Sequence, residues 1–180
     1  MSYFKEDLKR ANVIESKGKD IVCEYYKNKG WTIEHVSNSI GKDSSKDMTL
    51  QLVKNGKKFN SLHEFKEDFR CWETGNIAIE IACRGKDSGL TVTKSNFWNY
   101  FVHTGSNEAC NGIICLQIAT SKLKEFVKKY STKKGGESAE FYVIPLKDVL
   151  ACNDFERICP SLVCDVPLMR HKQRTYARRS

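Results

Sequence analysis

Asp47, Glu64 and Lys66 are the residues of this chain whose types and spacing suit chemistry on a phosphate ester. Two strand-like runs, Met48–Val53 and Lys58–Lys66, are separated by Asn55-Gly56, the signal of a tight hairpin turn. Strand residues separated by one lie on the same face, so Glu64 and Lys66 point the same way. A hairpin brings Asp47 to that face from the neighbouring strand. Two carboxylates and an ammonium at one point suit a hard divalent cation, Mg2+ or Mn2+, and a phosphodiester. Asp47 and Glu64 are the candidate metal ligands, with the backbone carbonyl of Phe65 as a third. Lys66 is placed to orient an attacking water or to stabilise the transition state. A Glu-x-Lys triplet alone is also an ordinary salt-bridging strand face. The order of acid, hairpin and triplet sets this one apart, because Glu125 falls on a predicted helix and Glu137 in a loop.

Those strands need neighbours to hold them. Residues 11–29 carry Val13, Ile14, Ile21, Val22, Tyr25 and Tyr26 at helical spacing, ending at Lys29-Gly30. Trp31–Val36 alternates as a strand, and 37–46 is a polar loop. Downstream, Asn76–Cys83 reads as a strand, Lys86–Gly89 as a turn, and Phe97–His103 and Gly112–Ala119 as strands, the latter fully buried. A helix over Ser121–Tyr130 with a serine cap follows. Residues 131–138 read as a Lys/Gly loop, Phe141–Pro145 as a last strand and Leu146–Leu150 as a short helix. The order predicts an α/β fold, a mixed β-sheet flanked by helices.

Thirty basic residues against 22 acidic give a formal charge of +8, which fits a polyanionic partner such as nucleic acid. The bias is concentrated in the tail, where Arg170, Lys172, Arg174, Arg178 and Arg179 make either a phosphate-gripping arm or a solubilising end. One domain over 1–168 and a basic tail over 169–180 are expected. No run approaches a membrane span, and the charged start MSYFKEDLKR has no signal-peptide centre. Eight cysteines without a sign of export, several in apolar surroundings (Cys83, Cys110, Cys115), read as reduced thiols of a cytoplasmic protein.

The arrangement Asp47 then Glu64-Phe65-Lys66 resembles the PD-(D/E)xK nuclease superfamily, which includes restriction enzymes, Holliday-junction resolvases and phage nucleases. The helix ending in KNKGWTIEHV is similar to the helix, Gly-aromatic, strand opening of archaeal resolvases. Asp68 and the runs ETGNIAIEI and SGLTVTKSNFWNYFV resemble phage-type members, so the likeness covers roughly residues 12–120. It implies a restriction-endonuclease-like core of αβββαβ order and Mg2+- or Mn2+-dependent hydrolysis of duplex or branched DNA. Many relatives are homodimers, and a homodimer fits here too. The resemblance also implies a glutamate on the first helix near the metal, Glu15 first and Glu24 next, against a solvated helix face for either. Two departures stand out. No proline precedes Asp47, and the separation of Asp47 from Glu64 implies a longer hairpin loop or a bulge. Glu80 is a candidate second-metal ligand or a charge paired with Arg84. Lys42, Lys46, Arg84 and Lys86 are candidate backbone-gripping cations, with Arg170 and Arg174 of the tail. A non-catalytic binding protein on a decayed nuclease fold and an RNA-cleaving enzyme of the same fold are the alternatives.

Other constellations are weaker. Cys152, Cys159, Cys164 and His171 have no compact knuckle spacing, so zinc is not expected. His63-Glu64 does not begin an H-E-x-x-H zinc motif, and no phosphate-cradling Gly-rich loop is present. Cys71 lacks the partners of a nucleophile. His35 and His103 read as packing or surface residues. Trp98 is expected in the core, whereas Trp72 beside Arg70 is a candidate for exposure and base stacking.

Overall fold

Strand alternation and one tight turn set most of the architecture. The structure is a computed structural model describing residues 18–38, 46–68, 71–103 and 113–158. Helix α1 is described over 18–28 and ends at Gly30, whose φ of 78° suits a residue without Cβ. Strands β1 (Thr32–Asn38), β2 (Met48–Lys54) and β3 (Lys57–Asp68) follow as an antiparallel meander. The short α2 (Cys71–Thr74) leads to β4 (Asn76–Cys83), β5 (Lys86–Asp87), a 3-10 turn at Gly89–Thr91 and β6 (Phe97–His103). Strand β7 (Ile113–Ala119) runs into α3 (Thr120–Val127). Then come β8 (Thr132–Lys134), a 3-10 turn at Gly136–Ser138, β9 (Glu140–Pro145), α4 (Leu146–Leu150) and β10 (Glu156–Arg157).

Two sheets form. The larger has the order β1-β2-β3-β6-β7-β10, and the smaller the order β5-β4-β9-β8. Only the β3–β6 pairing is parallel, so the larger sheet is mixed. A parallel return needs a crossover, and here it carries the four-residue α2 and two strands of the smaller sheet. An αβββαβ order calls for a full helix in that crossover, and among its described residues the crossover holds the one turn of α2.

Alternation then assigns each face of the larger sheet a partner. Met48, Leu50, Leu52, Phe65, Phe101 and Cys115 pack under Val22 and Tyr26 of α1. Trp98, Tyr100, Val102, Leu116 and Ile118 face the other way, against Ile77, Ile79 and Ile144 of the smaller sheet and Leu123 and Phe126 of α3. A lone hairpin is marginal in water, so these layers are what hold β2 and β3 in register. The α/β mixed sheet, β4, β6, α4 and the core placement of Trp98 stand as the sequence predicts.

Several expectations need correction. The tight turn in the second hairpin is Arg84-Gly85, both at positive φ, and Lys86–Asp87 is strand. Helix α3 starts at Thr120, with Ala119 before it and no side-chain cap, so Ser121 caps nothing. Residues 131–138 hold a three-residue strand and a 3-10 turn; all three strand residues are exposed, which erases the alternation that would have revealed them. The Asp47–Glu64 separation needs neither long loop nor bulge, since β2 and β3 pair without a shift from Met48↔His63 to Lys54↔Lys57. No disulfide joins the described cysteines: Cys71 and Cys115 are buried, and Cys23, Cys83 and Cys152 half-buried. No helix among the described residues is long and apolar enough to cross a membrane.

Candidate active site

The site lies where β2 stops and β3 continues. Met48 is the first residue of β2 and pairs with His63, so residues 64–68 of β3 have no β2 partner on that edge. Asp47 occupies the step. Its backbone N–H donates to the His63 carbonyl at 2.9 Å, and its Oδ2 accepts the Phe65 N–H at 2.7 Å. The carboxylate thus stands in for the missing strand. The N–H and C=O of one strand residue point to the same edge, so the Phe65 carbonyl faces this edge beside Asp47.

Glu64 and Lys66 share the face turned to the smaller sheet, as the spacing requires. Lys66 Nζ lies 2.7 Å from Glu64 Oε1, and Thr93 Oγ1 donates to Glu64 Oε2 at 3.3 Å. The Glu64 side chain is 4% exposed and that of Lys66 38%, so the pair has one wet end. Burial pushes the Glu64 carboxyl above its ordinary range. Lys66 opposes that shift, the Asp47 charge adds to it, and the bonds from Lys66 and Thr93 oppose it again. Lys66 also sits 5.6 Å above the Trp98 ring, and the buried Trp98 indole N–H has no hydrogen-bond partner among the described residues.

Beneath the site runs a polar relay that no motif announced. Gln117 Nε2 donates to Asn99 Oδ1 at 2.9 Å. The Asn99 amide then donates to the Glu64 carbonyl at 3.1 Å and approaches His63 Nδ1 at 3.2 Å. With Nδ1 accepting, the His63 proton sits on Nε2, 2.9 Å from Ser61 Oγ. His63 is fully buried, stacked on Phe97 at 5.5 Å and edge-on to Tyr26 at 5.7 Å, and burial lowers its pKa to about 3. A neutral imidazole therefore links β3 to β6 and α1. The relay leaves His63 facing away from Glu64 and Lys66, so its part is positional. Asn96 adds a clamp, because its N–H donates to the Leu62 carbonyl and its Oδ1 accepts the Leu62 N–H.

The remaining candidates lie elsewhere. Glu80, on β4, accepts a hydrogen bond from Ser88 in its own hairpin, and it is not among the charges that shift Glu64. Arg84 and Lys86 are exposed on that hairpin, while Lys46 is half-buried next to Asp47. Glu24 is exposed on α1, His35 is exposed on β1 and Cys71 is buried. Glu15, Lys42, Arg70, Cys159, Cys164, Arg170, His171 and Arg174 lie outside the described residues, as do the side chains of Trp72 and His103. Among the described residues no three His, Cys, Asp or Glu side chains gather in one metal-sized group.

Thr93, Asn99 and Gln117 are the functional candidates that sequence reasoning missed. A usable signal existed for two of them: Asn99 and Gln117 are lone amides in otherwise apolar runs, FWNYFVH and GIICLQIA. A buried amide in such a run needs a partner, and here the two find each other. Thr93 sits in a loop, where nothing local marks it. No family model matches the chain, and no curated protein or solved structure matches it either.

Proposed function

We propose that this chain is a metal-dependent endodeoxyribonuclease with a restriction-endonuclease-like core, hydrolysing DNA phosphodiester bonds with Mg2+ or Mn2+. The observation that carries the reading is the meeting of Asp47, the Glu64-Lys66 pair and the Phe65 carbonyl edge at the open step of β3. The donor set fits a small hard cation. Mg2+ takes one or two carboxylates and keeps several waters, and two like charges with one buried create a demand for positive charge that half-exposed Lys66 meets only in part. Asp47, Glu64 and the Phe65 carbonyl would hold the ion. When bound it supplies Lewis acidity toward the phosphoryl oxygen and lowers the pKa of the attacking water.

The chain's own residues supply the rest. Lys66, anchored by Glu64 and partly exposed, supports the attacking water as its oxygen bonds phosphorus and the ester oxygen departs. Thr93 and Asn99 hold Glu64 from the side-chain and backbone ends, fixing it without solvent. The chain charge of +8 supports a polyanionic substrate. Lys66→Ala is expected to abolish cleavage while leaving most DNA binding, measured by gel cleavage beside a filter-binding titration. Unaltered cleavage by that variant would remove Lys66 from its role.

A further inference from the structure

At the same end of the larger sheet lies a recess of about 560 Å3, bounded by β7, the start of α3 and the segment leading into β10. That volume falls in the range of small-molecule sites. Its walls are two aromatic rings, Phe97 and Phe155, two amides, Gln117 and Asn153, and the ion pair of Lys122 with Asp154 at 3.8 Å. Glu156 on the rim is already held by Lys29 at 2.6 Å. With Arg157 also in the lining, two cations face two anions, and that balance suits a flat, neutral group with hydrogen-bonding edges better than an isolated phosphate.

The recess lies across β6 from the site, with Phe97 and Gln117 reaching it from the α1 face, opposite Glu64 and Lys66, and Ile118 from the face those two share. Met48, His63, Phe97 and Ala119 form one row across four strands, and Asp47 immediately precedes that row. With strands about 4.8 Å apart, Phe97 and Ala119 lie about 10–15 Å from Asp47. Gln117 in the wall is the first donor of the relay that ends on the Glu64 carbonyl, and Phe97 is the ring stacked on His63. We propose that this recess receives an unpaired nucleobase of the substrate strand, flanking the phosphate held at Asp47, Glu64 and Lys66. The occupant rests on the nuclease reading, and it makes the preferred substrate one with a single-stranded or branched segment.

A test uses the full-length, 15N-labelled, metal-free chain, titrated with thymidine, thymidine 5′-monophosphate and baseless deoxyribose 5-phosphate. Thymidine and its monophosphate should shift the amides of 117–122 and 153–157, and the baseless sugar phosphate should not. Asn153 is exposed, so Asn153→Trp fills the recess without disturbing the core. It should weaken thymidine binding about tenfold or more, as expected from losing one stacked base, while Lys66→Ala leaves it unchanged. Shifts elsewhere, no shifts, equal shifts from the sugar phosphate, or wild-type affinity in Asn153→Trp would overturn the proposal. Cleavage of DNA with a silent recess would refute the recess and leave the nuclease. Thymidine bound in the recess of a chain that cuts no DNA would refute the nuclease and leave the recess.

Discussion

His63 offers the sharpest physical test of how the site is built. Its ring is buried, neutral in the relay and shifted from an ordinary 6.5 to about 3 by burial. The unfolded chain takes up a proton near pH 6.5, whereas the folded chain resists until near pH 3. The stabilising contribution is therefore fully present above pH 6.5 and is lost as pH falls from there toward 3. Each unit is worth about 1.4 kcal/mol, so the full window holds about 5 kcal/mol, and a descent to about pH 5 removes about 2 kcal/mol. The assay is urea unfolding of the wild type and His63→Gln at about pH 7.5 and pH 5. Lost ring packing lowers the variant at both pH values equally, and other titrations cancel in the comparison. The wild type should lose about 2 kcal/mol more than His63→Gln between the two conditions. Equal losses would refute a neutral, buried His63 as the link between β3, β6 and α1.

Other outcomes follow from the same geometry. Glu64 has a raised carboxyl pKa, so in the metal-free chain its contribution to stability is present at low pH and lost as pH rises through its folded value. Glu64→Gln should then be at least as stable as wild type near pH 8 without metal, by thermal unfolding, and lower stability would contradict the assignment. Mn2+ binds the ionised carboxylate, so its affinity by calorimetry should fall with acidity in the wild type, and binding should be lost in Glu64→Gln. Asp47→Ala orphans the Phe65 N–H and should cost about 1 kcal/mol in urea unfolding. A Cβ on Gly89 would sit 2.3 Å from the Glu80 carbonyl at a φ of +51°, so Gly89→Ala should cost about 2–3 kcal/mol and disturb the turn leading to Thr93.

How far the sequence carried the reading depends on how local each cause is. The β2–β3 hairpin was legible because the Asn-Gly pair fixes its turn and alternation fixes its face; the same two facts put Glu64 beside Lys66. Strands β4 and β6 were legible as apolar runs between polar breaks. The short edge strands were not, since β8 of the smaller sheet is wholly exposed and β10 of the larger is two residues long, each held by a pairing, with β9 and β7, that no window of sequence contains. The relay divides similarly. Ser61, His63 and Phe65 could be assigned the inward face from alternation, but that His63 meets Asn99 depends on the parallel register of β3 with β6. The burial of Glu64 against Thr93 arises from a loop 29 residues away.

The most direct test of the nuclease account is cleavage of a labelled DNA panel, comprising junction, flap, duplex and single strand, with Mg2+ or Mn2+ and beside Asp47→Ala. The account predicts metal-dependent cutting by the wild type, strongest where unpaired nucleotides flank the break, and none by the variant. No cutting of any substrate under tight, salt-sensitive binding, or equal cutting by Asp47→Ala, would contradict it.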